Sequence, residues 1–136
     1  MRYAAHAGPA GALVAITAIL TATWRSATFS WPGSALSDLG TASGTALLFN
    51  GGLVAGGAVG IAYALALRRS SSAVAGGYAL SVVSMILVGV FPAGTPLHFP
   101  VAVAFFLLAT ATVSVDGWSR RATTAGRLGL ALAVSH

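Results

Sequence analysis

Four polar residues whose side chains could take part in catalysis or ligand binding lie close to one predicted membrane boundary. Ser37 and Asp38 lie in the polar stretch at residues 25–42, which reads RSATFSWPGSALSDLGTA. Asn50 and His98 lie near the starts of two later apolar segments, and both segments are predicted to begin on the same side of the membrane as residues 25–42. An acid, an amide and an imidazole at one depth can move protons or hold a polar ligand. The sequence therefore indicates a candidate polar site made of Ser37, Asp38, Asn50 and His98.

A purely structural role for the same residues is an equally open interpretation. Asp38 can cap a helix or pair with Arg25, Asn50 can tie two helices together, and His98 can cap the segment that it opens. Ser34 or Ser37 with Asp38 and His98 supplies the residue types of a catalytic triad, but not a diagnostic spacing. The pattern alone does not choose between these interpretations.

Metal and cofactor chemistry find little support in the residue inventory. The chain contains no Cys, Glu or Lys. One Asp and one His on one side fall short of the three protein ligands that a catalytic zinc needs, and His6 is expected on the opposite side. A haem would require His98 and His136 at matching depth, with the last apolar stretch inserted. We predict no metal site and no cofactor.

The composition is that of a protein whose main solvent is lipid. Of 136 residues, 57% are hydrophobic and only 7% are charged, whereas a soluble domain carries roughly 25% charged residues. The mean hydropathy is +0.87. The formal charge of +5 comes from Arg residues that lie between apolar segments, which is a pattern that sets membrane orientation and does not form a nucleic-acid surface.

The apolar segments predict an all-α, polytopic transmembrane bundle, forming one integral membrane domain over residues 1–136. Each full segment is long enough to cross roughly 30 Å of hydrocarbon at about 1.5 Å per residue. A shorter stretch at the C-terminal end is expected to form a partial helix or to be the start of a truncated segment. The predicted spans are 7–24, 43–67, 73–90 and 97–115, with a partial fifth helix at 122–134.

The distribution of Arg residues predicts the orientation of the bundle. An N-terminus in the cytoplasm leaves only Arg25 outside. Because basic residues favour the cytoplasmic side, we expect a multi-pass protein of the cell membrane with the candidate polar site at the outer face. The Arg residues then placed inside are Arg2, Arg68, Arg69, Arg120, Arg121 and Arg127.

The second predicted span carries a row of small residues. Gly52, Gly56 and Gly60 recur at intervals of four, which places them along one side of a helix. Small residues let another helix approach closely, so we interpret the row as a helix-packing surface. The partner helix can belong to this chain, to a second copy in a homo-oligomer, or to a larger membrane complex.

Four stretches of the sequence resemble an uncharacterised membrane family called domain of unknown function 998. They read FSWPGSALSDLG, LLFNGGLVAGG, VGVFPAG and LHFPVAVAFF, and the resemblance covers roughly residues 10 to 115. The sequence is also similar in style to haloarchaeal members. The resemblance implies a bundle with more spans than these four, with Ser37, Asp38, Asn50 and His98 as its recurrent polar positions. It implies no established activity.

Three functional hypotheses follow. The first is a non-catalytic membrane module that binds lipid or another hydrophobic molecule, or a small subunit of a membrane assembly. The second is an intramembrane enzyme acting on a lipid-like substrate at the outer leaflet, with Asp38 and His98 in acid–base roles and Asn50 as support. The third is an oligomeric transporter. Membrane lipid is the expected partner, and nucleic acid is not.

Overall fold

The computed structural model describes residues 2–135, and within that range the chain is all-helical. Five α-helices and one short 3-10 helix follow one another along the chain. The α-helices are α1 (Arg2–Arg25), α2 (Ala46–Leu67), α3 (Ser72–Val90), α4 (His98–Ser119) and α5 (Thr124–Val134), and the 3-10 helix η1 (Leu36–Gly40) lies between α1 and α2.

Four of the helices have the length and apolarity of membrane spans. They are α1 over its His6–Arg25 portion, α2, α3 and α4, whereas α5 has only 11 residues. At about 1.5 Å per residue, α5 measures roughly 17 Å and covers about half of a hydrocarbon core. The predicted fold class, an all-α bundle of four spans and a shorter fifth helix, is confirmed.

The helix ends differ from the predicted ones by a few residues. α1 begins at Arg2 and α4 continues to Ser119. α2 begins at Ala46 instead of residue 43, because the preceding residues form turns that fold back on η1. The buried hydroxyl of Thr45 donates to the carbonyl of Leu39 at 2.8 Å and holds these turns in place.

α1 and α2 approach closely through small residues on both helices. A Cβ added to Gly56 would lie 2.7 Å from the carbonyl oxygen of Gly11 and 3.0 Å from Cβ of Ala15, and Gly52 faces Ala18 in the same way. Because glycine has no Cβ, the two backbones come nearer than larger side chains allow. The facing row on α1 is buried and consists of Gly11, Ala15, Ala18 and Ala22.

The third glycine of the predicted row faces a different helix. A Cβ on Gly60 would meet Val82 of α3 at 2.8 Å, and Gly57 also faces Val82 and Ile86 of α3. Residues four apart on a helix are rotated by about 40°, so two such steps carry the row from the α1 side toward the α3 side. The contacts of Gly52, Gly56 and Gly60 are therefore made with helices of this same chain.

Each helix packs mainly on its neighbours in sequence. Among the described residues, the extensive contacts join α1 to α2, α2 to α3, α3 to α4 and α4 to α5, and no extensive contact joins α1 to α4. The first four helices thus form a curved row with α2 and α3 at its centre. The gap between α1 and α4 is left open as a groove.

The loop before α2 is folded tightly onto the C-terminal end of α1 and the N-terminal end of α2, which we call the outer end because the Arg distribution predicts that it faces outward. Leu39 of η1 is only 1% exposed and lies in a buried cluster with Ala22, Phe49 and Leu53. Residues 31–33, which include Pro32 and Gly33, form a turn, and the amide of Ser34 donates to the carbonyl of Ser30 at 2.9 Å. These contacts hold η1 in a fixed position over one end of the gap between α1 and α4.

Candidate functional site

The gap between α1 and α4 holds an apolar cavity of about 430 Å³, which we call the outer groove because the Arg distribution predicts that it faces the outer leaflet. α2 and α3 form its floor, and η1 covers its outer end. Its volume lies in the range of about 300–1,000 Å³ that is typical of ligand pockets. The lining residues are Ala12, Ala15, Ile16, Ile19, Leu36, Ser37, Phe49, Leu53, Met85, Val88, His98, Ala102, Phe105 and Phe106.

The outer groove opens sideways, toward the space that lipid occupies around a membrane protein. Ile16 on one rim is 51% exposed and Phe106 on the other is 66% exposed. Along α4, the lining runs from His98 to Phe106, a distance of roughly 12 Å at about 1.5 Å per residue. The outer groove therefore extends from the start of α4 to just short of the middle of that helix.

His98 lies at the outer end of this groove, on the first turn of α4. Its Nδ1 atom is 2.8 Å from the carbonyl oxygen of Phe91, at the end of α3. A carbonyl oxygen only accepts hydrogen bonds, so Nδ1 carries the proton and donates it. The hydrogen bond joins the two helix ends and fixes the plane of the imidazole ring.

Ser37 is the second polar residue that lines the outer groove. It belongs to η1 and is half-buried. Its hydroxyl makes no side-chain hydrogen bond within residues 2–135, in contrast to its neighbours in the same loop, Ser26 and Ser34, whose hydroxyls accept from backbone amides. Ser37 and His98 thus form a small polar end to an otherwise apolar groove.

Asp38 does not line the outer groove. Its side chain is exposed and borders a separate cavity of about 230 Å³, which Ser34 also lines. The Oδ2 atom accepts from the backbone amide of Ala35 at 2.9 Å, so Asp38 caps the start of η1. No ion pair with Arg25 forms among the described residues, where Asp116 and Arg120 make the ion pair that is present.

Asn50 ties α2 to η1. Its Nδ2 atom donates to the carbonyl of Gly40 at 2.9 Å, whereas its Oδ1 atom is buried and has no hydrogen-bond partner within residues 2–135. Because α2 begins at Ala46, Asn50 lies about 6 Å along the helix from its N-terminal end, and not about 10 Å as the predicted start at residue 43 implies.

The four predicted polar residues therefore share one end of the bundle but not one site. Ser37 and His98 line the outer groove, Asp38 lines the loop cavity, and Asn50 holds η1 against α2. The acid and the imidazole border different cavities, so Asp38 and His98 do not line one pocket. The candidate site is instead an apolar groove with a polar end.

Sequence reasoning missed the residues that form most of the groove. Phe49, Met85 and Phe105 lie on three different helices, and nothing in their local spacing distinguishes them from ordinary packing residues. The sequence did contain a signal for the packed face of α1, where small residues recur at intervals of four and three: Gly11, Ala15, Ala18 and Ala22. Such a row of small residues indicates a packed helix face.

The described part of the chain, residues 2–135, contains no group of three His, Cys, Asp or Glu side chains that could hold a metal ion. The pairing of His98 with His136 that a haem would require falls on a residue that lies outside this range.

Four apolar spans and a laterally open groove define the class of the molecule as a multi-pass helical membrane protein. A family model described as "Protein of unknown function (DUF998)" matches residues 9–135, and the chain belongs to this family. The family resemblance found in the sequence is thereby confirmed. Neither a curated protein nor a solved structure matches the chain.

Proposed function

We propose that this chain is a non-catalytic membrane protein that binds the hydrocarbon chain of a lipid or similar amphiphile in the outer groove. One observation carries the proposal: an apolar cavity of about 430 Å³ lies between α1 and α4 and opens sideways. An elongated, apolar cavity with a polar end matches the shape and polarity of an amphiphile. The sideways opening lets such a molecule enter from the bilayer without crossing water.

The groove is expected to face the outer leaflet. Six of the seven Arg residues fall on the side of the N-terminus and of the α2–α3 and α4–α5 connections. The positive-inside rule places that side in the cytoplasm. η1, Ser37 and His98 then lie at the outer face of the cell membrane, and a bound chain lies among the acyl chains of the outer leaflet.

A bulky substitution in the groove tests the proposal. Ala102 lines the outer groove on α4, and a Trp side chain at this position would occupy the space of the ligand. Ala111 lies on the same helix and is exposed, so Ala111→Trp is the matched control. We expect Ala102→Trp to lower the amount of lipid that copurifies with the protein by about tenfold or more, a change of about 1.4 kcal/mol in binding.

The readout is mass spectrometry of lipids bound to protein purified in mild detergent, combined with the mass of the intact particle. Ala111→Trp is expected to retain the lipid of the unmodified protein. Equal lipid content in the two variants would show that the outer groove is not the binding site. A lower particle mass for Ala102→Trp alone would show instead that a helix of another subunit fills the groove.

A further inference from the structure

We infer that the outer groove selects amphiphiles with a neutral hydroxyl headgroup, such as long-chain alcohols, through Nε2 of His98 and the hydroxyl of Ser37. The inference rests on the proposed function and names the ligand class of that site. Lipid tails are as apolar as the groove itself, so burial of the tail gives little preference for one lipid over another. Selectivity must therefore come from the polar end.

The hydrogen bond to Phe91 decides what the imidazole of His98 offers a ligand. Since Nδ1 donates to the carbonyl of Phe91, the neutral ring has its lone pair on Nε2. Nε2 lies on the ring edge away from that bond and makes no hydrogen bond within residues 2–135. The groove thus presents a fixed hydrogen-bond acceptor, which calls for a donor on the ligand.

Ser37 completes the match to a hydroxyl group. A hydroxyl both donates and accepts, so a ligand hydroxyl can donate to Nε2 of His98 and accept from the hydroxyl of Ser37. These side chains are the polar members of the groove lining, and neither Nε2 nor the serine hydroxyl has a partner in the described part of the chain. An alcohol headgroup bound between the two side chains would satisfy both atoms, which are costly to leave unpaired at the edge of hydrocarbon.

Anionic headgroups match this end of the groove poorly. Carboxylates and phosphate diesters present acceptor oxygens without a donor, and such an oxygen would face the lone pair of Nε2. Among the residues that the structure describes, the groove lining contains no Arg, and the sequence has no Lys. The groove therefore offers no fixed cation to a carboxylate or a phosphate, and an uncharged headgroup is the better fit.

The test compares ligands that share one chain and differ at the headgroup. The protein, in mild detergent, is labelled with a hexadecanol analogue that carries a diazirine at its far end. Hexadecanol, its methyl ether and palmitate then compete with this probe. We expect hexadecanol to compete about 3- to 10-fold better than the ether, as the one neutral hydrogen bond to Nε2 that the ether lacks allows. Palmitate is expected to compete no better than the ether.

Two His98 variants separate headgroup recognition from folding. The amide of His98→Asn can still donate to the carbonyl of Phe91, but the variant lacks Nε2. It is expected to bind alcohol and ether equally, with the affinity for the ether unchanged. His98→Gln places an amide near the position of Nε2 and should restore part of the preference for the alcohol. Ser37→Ala should weaken the binding of alcohol and ether alike, since both oxygens can accept from the serine hydroxyl, and should leave the preference for the alcohol in place.

The outcomes distinguish this inference from the proposed function. Equal competition by alcohol and ether in the unmodified protein would overturn the headgroup assignment and leave the lipid-binding groove in place. Stronger competition by palmitate would also overturn it, in favour of an anionic ligand. If no ligand competes, and Ala102→Trp labels as the unmodified protein does, the proposed function itself is wrong.

Discussion

Gly40 and Asn50 form the contact on which the position of η1 depends. The amide of Asn50 donates to the carbonyl of Gly40 at 2.9 Å, and a Cβ added to Gly40 would lie 2.5 Å from Oδ1 of Asn50. The backbone of Gly40 does not have a positive φ, so glycine is needed here for space and not for conformation. η1 in turn carries Ser37 to the outer groove.

Gly40→Ala is therefore expected to destabilise the protein by about 1–3 kcal/mol, because the new methyl group forces Asn50 from its place. Adding Asn50→Ala should recover part of this loss. Asn50→Ala alone should cost less than about 1 kcal/mol, since it removes one hydrogen bond but also an unpaired buried oxygen. Thermal unfolding in detergent of the unmodified protein, the two single variants and the double variant forms a double-mutant cycle. The cycle measures the coupling energy between residues 40 and 50.

Gly44→Ala is the matched control for this prediction. Gly44 lies in the same connection, and a Cβ added there would meet nothing within 4 Å. The unfolding temperature of the Gly44→Ala variant should match that of the unmodified protein. An equal loss of stability in Gly40→Ala and Gly44→Ala, or no recovery on adding Asn50→Ala, would contradict the contact between Gly40 and Asn50.

The sequence located the polar residues at the correct end of the bundle but did not assign them to cavities. Ser37 and Asp38 are adjacent, yet one lines the outer groove and the other lines the loop cavity. Successive residues in a 3-10 helix point about 120° apart, so which residue faces the groove depends on how the helix is rotated. That rotation is set by the burial of Leu39, which is a tertiary contact.

At the scale of the elements, α2 has two glycine faces for two partner helices. Gly52 and Gly56 meet α1, and Gly57 and Gly60 meet α3. Close packing on both sides holds the three helices at a short spacing that larger residues would prevent. Since α2 contributes to the floor of the outer groove, the width of the groove depends on these contacts.

Gly56→Ala should destabilise the protein by about 1–3 kcal/mol, because the added Cβ meets the backbone of Gly11, which cannot easily move aside. Gly51→Ala provides the control within the same helix, since a Cβ at Gly51 meets nothing within 4 Å. Alanine favours helix over glycine by about 0.5–1 kcal/mol, so Gly51→Ala should be neutral or slightly stabilising. Unfolding in increasing denaturing detergent measures both. Similar stabilities for the two variants would argue against close α1–α2 packing.

The helices themselves were largely predictable, because four long apolar segments separated by polar turns leave few alternatives in lipid. The predicted start of α2 was three residues early, since residues 43–45 are small and uncharged and do not mark a helix boundary. η1 was not predicted at all. Its five residues are too few to show a periodic pattern, and it is held by Leu39 and Thr45 through contacts with other elements.

At the scale of the whole molecule, the orientation in the membrane stays a prediction from the Arg distribution. The chain has no cysteine, so single cysteines can report on each side. Ala27 and Ser70 are both exposed and lie at opposite ends of the spans. In intact cells, a membrane-impermeant maleimide should label Ala27→Cys readily and Ser70→Cys only after the membrane is opened. The reverse pattern would place the outer groove in the cytoplasmic leaflet.

The order in which the helices contact one another also bears on how the chain assembles and comes apart. Because α2 packs on α1, α3 on α2 and α4 on α3, each newly inserted helix finds its partner already in the bilayer. Assembly can thus keep pace with synthesis, as in linear repeat proteins, where contacts join neighbours only. Within the described part of α4, Gly117 alone is buried. Pulled from its C-terminal end, the molecule would therefore peel, releasing α5 and α4 before the glycine-packed pair α1 and α2.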